Sequence, residues 1–276
     1  MKTVILRGIA DALCAVVFPA PCEICGEVLT AAGLLPICHT CFAALGPMRG
    51  PVCVRCGRPF ISEAALDAKT AECFACRRDV YGFDRARSYG AYTDQMVRAI
   101  SLLKYEKLTR LGRWFAERLQ RTIEAEPKLR EVDVVAPVPL HPARLRERGY
   151  NQAELIAKPL ARKLHLPLGA YLLMRTKPRP ARLLLSRRER WLTVRGAYEI
   201  RKGAQVDNLR VLLIDDVFTI GATLDACARA LKKAGAKSVI GLTVARAIPQ
   251  SGASNAPAAQ KSPTVQPKTA SKGVNG

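Results

Sequence analysis

Eight of the ten cysteines in this chain stand in four Cys-x-x-Cys pairs before residue 80. Cys22 and Cys25 are followed after twelve residues by Cys38 and Cys41, and Cys53 and Cys56 are followed after sixteen by Cys73 and Cys76. Such spacing belongs to metal ligation, because one Cys-x-x-Cys turn aims two thiolates at a point about 2.3 Å away and a second turn completes a tetrahedron. Gly26 and Gly57 follow the first pair of each half and permit the tight knuckle. Four thiolates leave no open position, so each half reads as a zinc ribbon and the two Zn²⁺ ions as structural. An iron–sulfur cluster also uses four cysteines, and thiols can be buried as small hydrophobes. A thioredoxin-like role is disfavoured, since no pair opens a helix after a clear strand. Spacing leaves the pairing of knuckles open among sequential, interleaved and nested; sequential is favoured because each half begins Cys-x-x-Cys-Gly. His39, inside a knuckle, competes with the thiolates but reads as a loop residue. Cys14 and Cys227 are left over and read as packing residues, Cys227 on a helix face with Leu224 and Leu231.

A second group carries different chemistry. Val211 to Ile214 is an apolar run that reads as a buried strand, Asp215 and Asp216 stand where it ends, and Thr219, Ile220, Gly221, Ala222 and Thr223 make a small-residue turn. Leu224, Ala228 and Leu231 then recur at helical spacing. A helix amino terminus at the carboxyl end of a parallel strand binds anions, because unpaired amides and the helix dipole converge there. Gly221 lets the backbone approach a phosphate, and Thr219 and Thr223 add hydroxyl donors. The two carboxylates would repel a bare phosphate; they suit a ligand that also carries vicinal hydroxyls or a Mg²⁺, which carboxylates bind at about 2.1 Å. The alternative is an ordinary strand and helix joined by a solvated acidic turn.

A phosphate, a diol and a metal on one small molecule describe 5-phosphoribosyl 1-pyrophosphate, and the loop resembles the signature of the type I phosphoribosyltransferases. Among them the chain resembles the ComF family, named for a role in bacterial competence for DNA uptake. The resemblance runs from Cys22 to Ala247 and rests on the order of its motifs: the cysteine pairs, Leu103-Lys104-Tyr105, Pro137-Val138-Pro139-Leu140, Arg148-Gly149-Tyr150-Asn151-Gln152 and the phosphate loop. It implies that Asp215 and Asp216 hold the ribose hydroxyls and that Thr219 to Thr223 cradle the 5-phosphate. It also places Lys104 and Tyr105 among the ligand-binding positions and brings the loop after Pro139 to the pyrophosphate, which Arg144 and Arg148 would stabilise as it departs. Three positions depart from the family pattern. Ile220 stands where a second threonine is usual, Arg182 near a usual glutamine and Thr193 near a usual asparagine. The last two fall in the region expected to cover the second substrate, whose identity is therefore open. Thr219 occupies the place where purine-salvage relatives carry an aspartate, so a purine acceptor is not indicated.

The charge balance agrees with an anionic ligand. Lys and Arg number 44 against 23 Asp and Glu, a formal net charge of +21. Between His141 and Arg190 there are thirteen Lys and Arg and three Asp and Glu. Arg144, Arg146 and Arg148 are expected in one loop, and Arg175, Lys177, Arg179 and Arg182 in another. The cluster suits a pyrophosphate or the backbone of single-stranded DNA, although any one arginine can be a solvated surface residue. Aromatic interleaving is thin, with Tyr150, Tyr171 and Trp191 only, so base stacking is weakly supported.

The elements that must hold these residues follow from periodicity. Residues 1–21 read as an amphipathic helix, since Ile5, Ile9, Ala12, Leu13 and Val16 recur at helical spacing while Arg7 and Asp11 interrupt any signal-peptide core. Without an export signal the thiols are expected in the reducing cytoplasm. Residues 22–80 form the double zinc-ribbon domain, too poor in apolar runs to build a core alone. Residues 81–248 alternate strands (Asp133 to Val138, Tyr171 to Met174, Val211 to Ile214, Val239 to Val244) with helical stripes led by Met96, Leu111 and Leu155. Pro159 is expected to kink the third helix, and Ser186 with Glu189 to cap a short one through Trp191. Residues 249–276, without an aromatic, Leu or Ile, read as a disordered tail. The fold class is therefore α/β: a mostly parallel sheet like that of the type I phosphoribosyltransferases, preceded by a cysteine-rich zinc-ribbon domain. No apolar run is long enough to span a membrane. Two functions are compatible with the sequence. One is an enzyme that binds phosphoribosyl pyrophosphate with Mg²⁺ and transfers its ribosyl phosphate to an open acceptor. The other is a binding factor for single-stranded DNA, or for a DNA-uptake protein, that keeps the loop for sensing or structure. Oligomeric state is not legible.

Overall fold

The computed structural model describes residues 20–29, 33–60, 71–178 and 186–248. The expected amino-terminal helix up to residue 19, Cys14, Arg179, Arg182 and the tail from residue 249 lie outside the described residues.

Four parallel strands make the central sheet in the order β1 (Arg85–Ala91), β6 (Ser238–Arg246), β5 (Arg210–Phe218), β2 (Val134–Pro137). Its inner strands are apolar almost throughout, as expected for a sheet covered on both faces. Alternation along β5 sorts the covers. Leu212 and Ile214 join the core under α3 (Asp94–Tyr105), α4 (Arg110–Ala125) and α6 (Gln152–Leu164). Val211 and Leu213 join the core under α8 (Ala222–Lys233) and the hairpin of β3 (Leu173–Arg175) with β4 (Tyr198–Ile200). The two ribbons, which carry the short helices α1 (His39–Ala44) and α2 (Phe74–Arg77), divide the same way. Leu35, Ile37, Cys41 and Leu45 of the first share the core of Met96, Ile100 and Leu103, whereas all four cysteines of the second share that of Tyr81, Phe83 and Phe218. Each ribbon borrows the core that its own composition lacks.

Most expected elements are present, and Ser186 and Glu189 form a complete capping box at the start of α7 (Arg187–Val194). Five details differ. β1 and β4 carried no clear signal. β1 reads Arg-Ala-Arg-Ser-Tyr-Gly-Ala, and its arginines pair with Glu126 at an edge of the sheet: Arg87 Nε lies 2.5 Å from Oε2 and Arg85 Nη1 2.9 Å from Oε1. β5 does not stop at Ile214 but continues to Phe218, because Asp215 and Val217 stay in register with Thr243 and Ala245 of the equally long β6. The acid pair therefore lies inside the strand. Arg144, Arg146 and Arg148 are not in a loop but on α5 (Pro142–Arg148), started by Pro142 and the His141 Nδ1 bond from the Ala143 amide at 3.3 Å, and ended by Gly149 at φ 84°. Finally, Arg175, expected in a loop, is the last residue of β3, and α6 runs from Gln152 to Leu164 with Pro159 inside it.

A proline at 159 cannot donate to the carbonyl of Leu155. That carbonyl faces Gly112 of α4, where an added Cβ would lie 2.6 Å from the oxygen. In an ordinary helix interior Gly→Ala gains about 1 kcal/mol. Here Gly112→Ala is expected to lose about 1–3 kcal/mol through overpacking. Urea unfolding reads the difference; a variant at least as stable as the parent would contradict this helix contact.

Candidate functional site

The eight paired cysteines converge in two groups, Cys22, Cys25, Cys38 and Cys41, and Cys53, Cys56, Cys73 and Cys76, with the sulfurs of each group within 4.8 Å of one another. Pairing is thus sequential, and His39 is in neither group. Each knuckle directs backbone amides at sulfur: Cys38 N lies 3.2 Å from Cys22 Sγ, and Cys73 N 3.3 Å from Cys53 Sγ. Such amides favour thiolate. Burial opposes the Cys22 thiolate, but the amides of Cys25, Cys38 and Ile24 outweigh it and lower the thiol to about 6. An all-sulfur donor set of four, closed and supported by amides, fits a structural zinc ion in each group. The surroundings are unequal, however. Cys25 is exposed and Cys38 half-buried, whereas all four cysteines of the second group are buried. Gly57 is part of the reason: its knuckle presses on β1, where an added Cβ would lie 2.8 Å from the carbonyl oxygen of Ala86. Cys227 is fully buried, as its helix face requires.

Asp215 and Asp216 are both buried near the carboxyl end of β5. By the strand's alternation Asp216 faces the α3 and α6 side, where Lys104 makes an ion pair with its Oδ2 and Gln152 Nε2 donates to Oδ1 at 3.1 Å. Asp215 Oδ1 accepts from the backbone amide of Asp216 at 2.9 Å. The two carboxyls diverge in acidity. Burial, reinforced by the neighbouring Asp216 charge, pushes Asp215 well above the usual carboxylate range. Burial opposes the Asp216 charge too, but the Lys104 ammonium outweighs it and holds Asp216 low. Lys104 is in turn raised: burial works against its charge, and Asp216 prevails.

The stretch from Arg148 to Gln152 assembles this arrangement. Arg148 donates to Gln152 Oε1 and lies 5.0 Å over the Tyr105 ring, while Gly149 ends α5. Tyr150 donates to the carbonyl of Leu103 at 2.6 Å, bracing the turn that carries Lys104. Asn151 caps α6, accepting from the Ala153 amide at 3.0 Å, and donates to the carbonyl of Val138 at 3.0 Å. Gln152 thereby bridges Arg148 and Asp216. The sequence motif by itself gives Gln152 no role, since its partner Asp216 lies in a distant strand.

Beyond the acid pair, Thr219 is exposed, Ile220 and Thr223 are half-buried, and Gly221 and Ala222 are buried at the start of α8. Gly221 takes φ +83°, and a Cβ there would lie 2.6 Å from Phe218 Cζ and 2.8 Å from Tyr81 Cε1. Only glycine fits, because the loop rests directly on two aromatic rings. The structure therefore gathers Lys104, Tyr105, Arg148, Gln152, Asp215 and Asp216 into one set of contacts, with residues 219–223 following in the chain. Arg144 stands one helical turn before Arg148, and its guanidinium pairs with Glu147 at 2.9 Å.

The chain resembles known proteins over both of its parts. The double zinc ribbon domain matches residues 13–77, and the phosphoribosyl transferase domain matches residues 151–262. Competence protein ComFC of Bacillus subtilis is 30% identical over 215 residues, covering 76% of this chain and 84% of that protein. Competence protein F of Haemophilus influenzae is 27% identical over 201 residues, 71% of this chain and 85% of that one. DNA utilization protein YhgH of Escherichia coli K12 is 26% identical over 228 residues, 80% and 94%. The parallel sheet behind the cysteine-rich region is thus a type I phosphoribosyltransferase-like fold. With the ribbons in front of that sheet and relatives matched along most of both chains, the protein belongs to the ComF family.

Proposed function

We propose that this chain binds 5-phosphoribosyl 1-pyrophosphate together with Mg²⁺ and transfers its ribosyl phosphate to an acceptor, in the service of DNA uptake. One observation carries the reading: a buried carboxylate pair, compensated by Lys104, stands directly before a glycine-hinged turn that opens a helix. In this reading Thr219 to Thr223 take the 5-phosphate through backbone amides and hydroxyls, and Asp215 and Asp216 take the ribose hydroxyls. Lys104, Tyr105, Arg144 and Arg148 line the side from which pyrophosphate leaves. Mg²⁺, when bound, supplies charge neutralisation to the pyrophosphate oxygens. Transfer breaks the bond from ribose C1 to pyrophosphate, which departs with the electron pair, while the acceptor's lone pair forms the new bond and its proton passes to solvent. The protein's contribution is position and charge rather than a dedicated base.

The names of the relatives, competence protein and DNA utilization protein, favour a second reading in which the chain binds single-stranded DNA directly. The charge of +21 supports polyanion binding, and no helix among the described residues is long and apolar enough to cross a membrane. The ribbons take one Zn²⁺ each and serve as structure.

Three outcomes are expected. Purified protein carries two zinc ions, and a chelator removes them in two phases, the first from the group containing exposed Cys25. Metal analysis that finds iron, or well-folded protein without metal, would refute the ribbons. Asp215→Asn with Asp216→Asn weakens Mg²⁺-phosphoribosyl pyrophosphate binding by roughly tenfold or more while the circular dichroism spectrum is kept. Calorimetry showing undiminished binding would make the loop structural. Single-strand binding falls with salt at a slope of about −0.7 per neutralised phosphate and is competed by phosphoribosyl pyrophosphate. Strong DNA binding at physiological salt, indifferent to that competitor and retained in the double mutant, would favour the DNA module over the transferase.

A further inference from the structure

The phosphate loop does not rest on the sheet alone. Tyr81 follows the second ribbon in the chain, is 9% exposed, and donates its hydroxyl to the carbonyl of Ile220 at 3.2 Å. Its ring lies against Gly221 and stacks on Phe83 with centroids 4.7 Å apart. Phe218, the other support of Gly221, meets Tyr81 edge-on at 6.2 Å and lies under the Arg246 guanidinium at 3.8 Å. Both supports lead back to the second ribbon. Arg246 donates to the carbonyl of Cys56 at 2.7 Å and reaches its sulfur at 3.6 Å. Arg55, between the first two cysteines of that ribbon, donates to the carbonyl of Tyr81 at 2.6 Å and pairs with Asp79 at 2.6 Å. The first ribbon packs on the opposite face of the sheet, against α3 and α4.

From these contacts we infer that Tyr81 is a positioning residue through which the second ribbon, and not the first, holds residues 219–223 in their phosphate-binding shape. A carbonyl of the loop is held by the phenol, and because the peptide unit is planar the amide next to it is held with it. The second cysteine group thus has a task beyond stabilising its own segment: it fixes the stretch just after Cys76 from which Tyr81 projects. The inference rests on the reading of this loop as the 5-phosphate site.

The test compares two ligands that use different parts of that site. Ribose 5-phosphate places its phosphate in the loop; inorganic pyrophosphate is held elsewhere. Tyr81→Phe keeps the ring and removes only the hydroxyl, so calorimetry should show ribose 5-phosphate binding weakened roughly fivefold, with pyrophosphate binding unchanged. Cys56→Ser should act in the same direction and more strongly, and should lower ribose 5-phosphate affinity further than Cys25→Ser does. Equal losses for both ligands in Tyr81→Phe would mean general damage and overturn the role, as would unchanged affinity for ribose 5-phosphate. If the unaltered protein binds pyrophosphate but not ribose 5-phosphate, the loop reading fails and this role fails with it. Should Cys56→Ser not fold, Tyr81→Phe decides alone.

Discussion

Two adjacent carboxylates inside a buried parallel strand repel each other and have lost most of their water, and the structure depends on how that cost is met. Lys104 meets it at Asp216, and the neighbouring amide and Gln152 satisfy further oxygens. Much of the surrounding chain serves to keep that ammonium in place. The apolar face of α3, with Met96, Ile100 and Leu103 buried, seats the helix on the sheet, and Tyr150 holds the carbonyl of Leu103 beside it. Breaking such a buried pair by removing one partner costs about 3–5 kcal/mol when fully enclosed, so a stable protein does not keep an arrangement like this by accident of packing. The uneven acidity follows from this pairing: burial and the Asp216 charge raise Asp215, while the Lys104 ammonium overcomes burial and holds Asp216 low.

The ribbons complete the fold rather than precede it. A short cysteine-rich segment lacks the apolar area to fold unaided, and here each half adds its buried residues to one face of a shared sheet. The second is the more firmly joined. Arg85 and Arg87 both donate to the carbonyl of Val54, at 2.5 and 2.9 Å, while holding Glu126, and Ala86 donates its amide to the carbonyl of Arg55 at 2.7 Å. An edge strand that would otherwise offer open hydrogen-bonding groups is thereby covered by the ribbon's own knuckle.

What was legible in the sequence is what depends on neighbours in the chain. The Cys-x-x-Cys-Gly repeats announced two four-sulfur groups and favoured sequential pairing, which the positions of the sulfurs then settle; the apolar run before Asp215 announced the central strand; Gly221 announced the close turn. What was not legible depends on partners far away. Lys104 was placed near the ligand by resemblance, but its pairing with Asp216 has no local signal, and neither has the support of Ile220 by Tyr81. β1 was missed because arginines at alternate positions look like a solvated segment until Glu126 and the ribbon carbonyls are brought to them. The arginines after Pro139 carry no helical signal, because seven residues without a buried face give no apolar stripe; their helix is set by its ends, His141 and Gly149.

The central claim is that one ligand joins the turn at Gly221 to the carboxylates before it. It is tested most directly from the ligand's side, by measuring calorimetrically how the unaltered protein distinguishes ribose 5-phosphate from the analogue that lacks both the 2- and 3-hydroxyls. If Asp215 and Asp216 receive the diol while residues 219–223 hold the phosphate, removing the hydroxyls should weaken binding by roughly tenfold or more, the worth of one or two hydrogen bonds to charged groups. Equal affinity for the two compounds would contradict the account, because the carboxylate pair would then play no part in recognising the sugar.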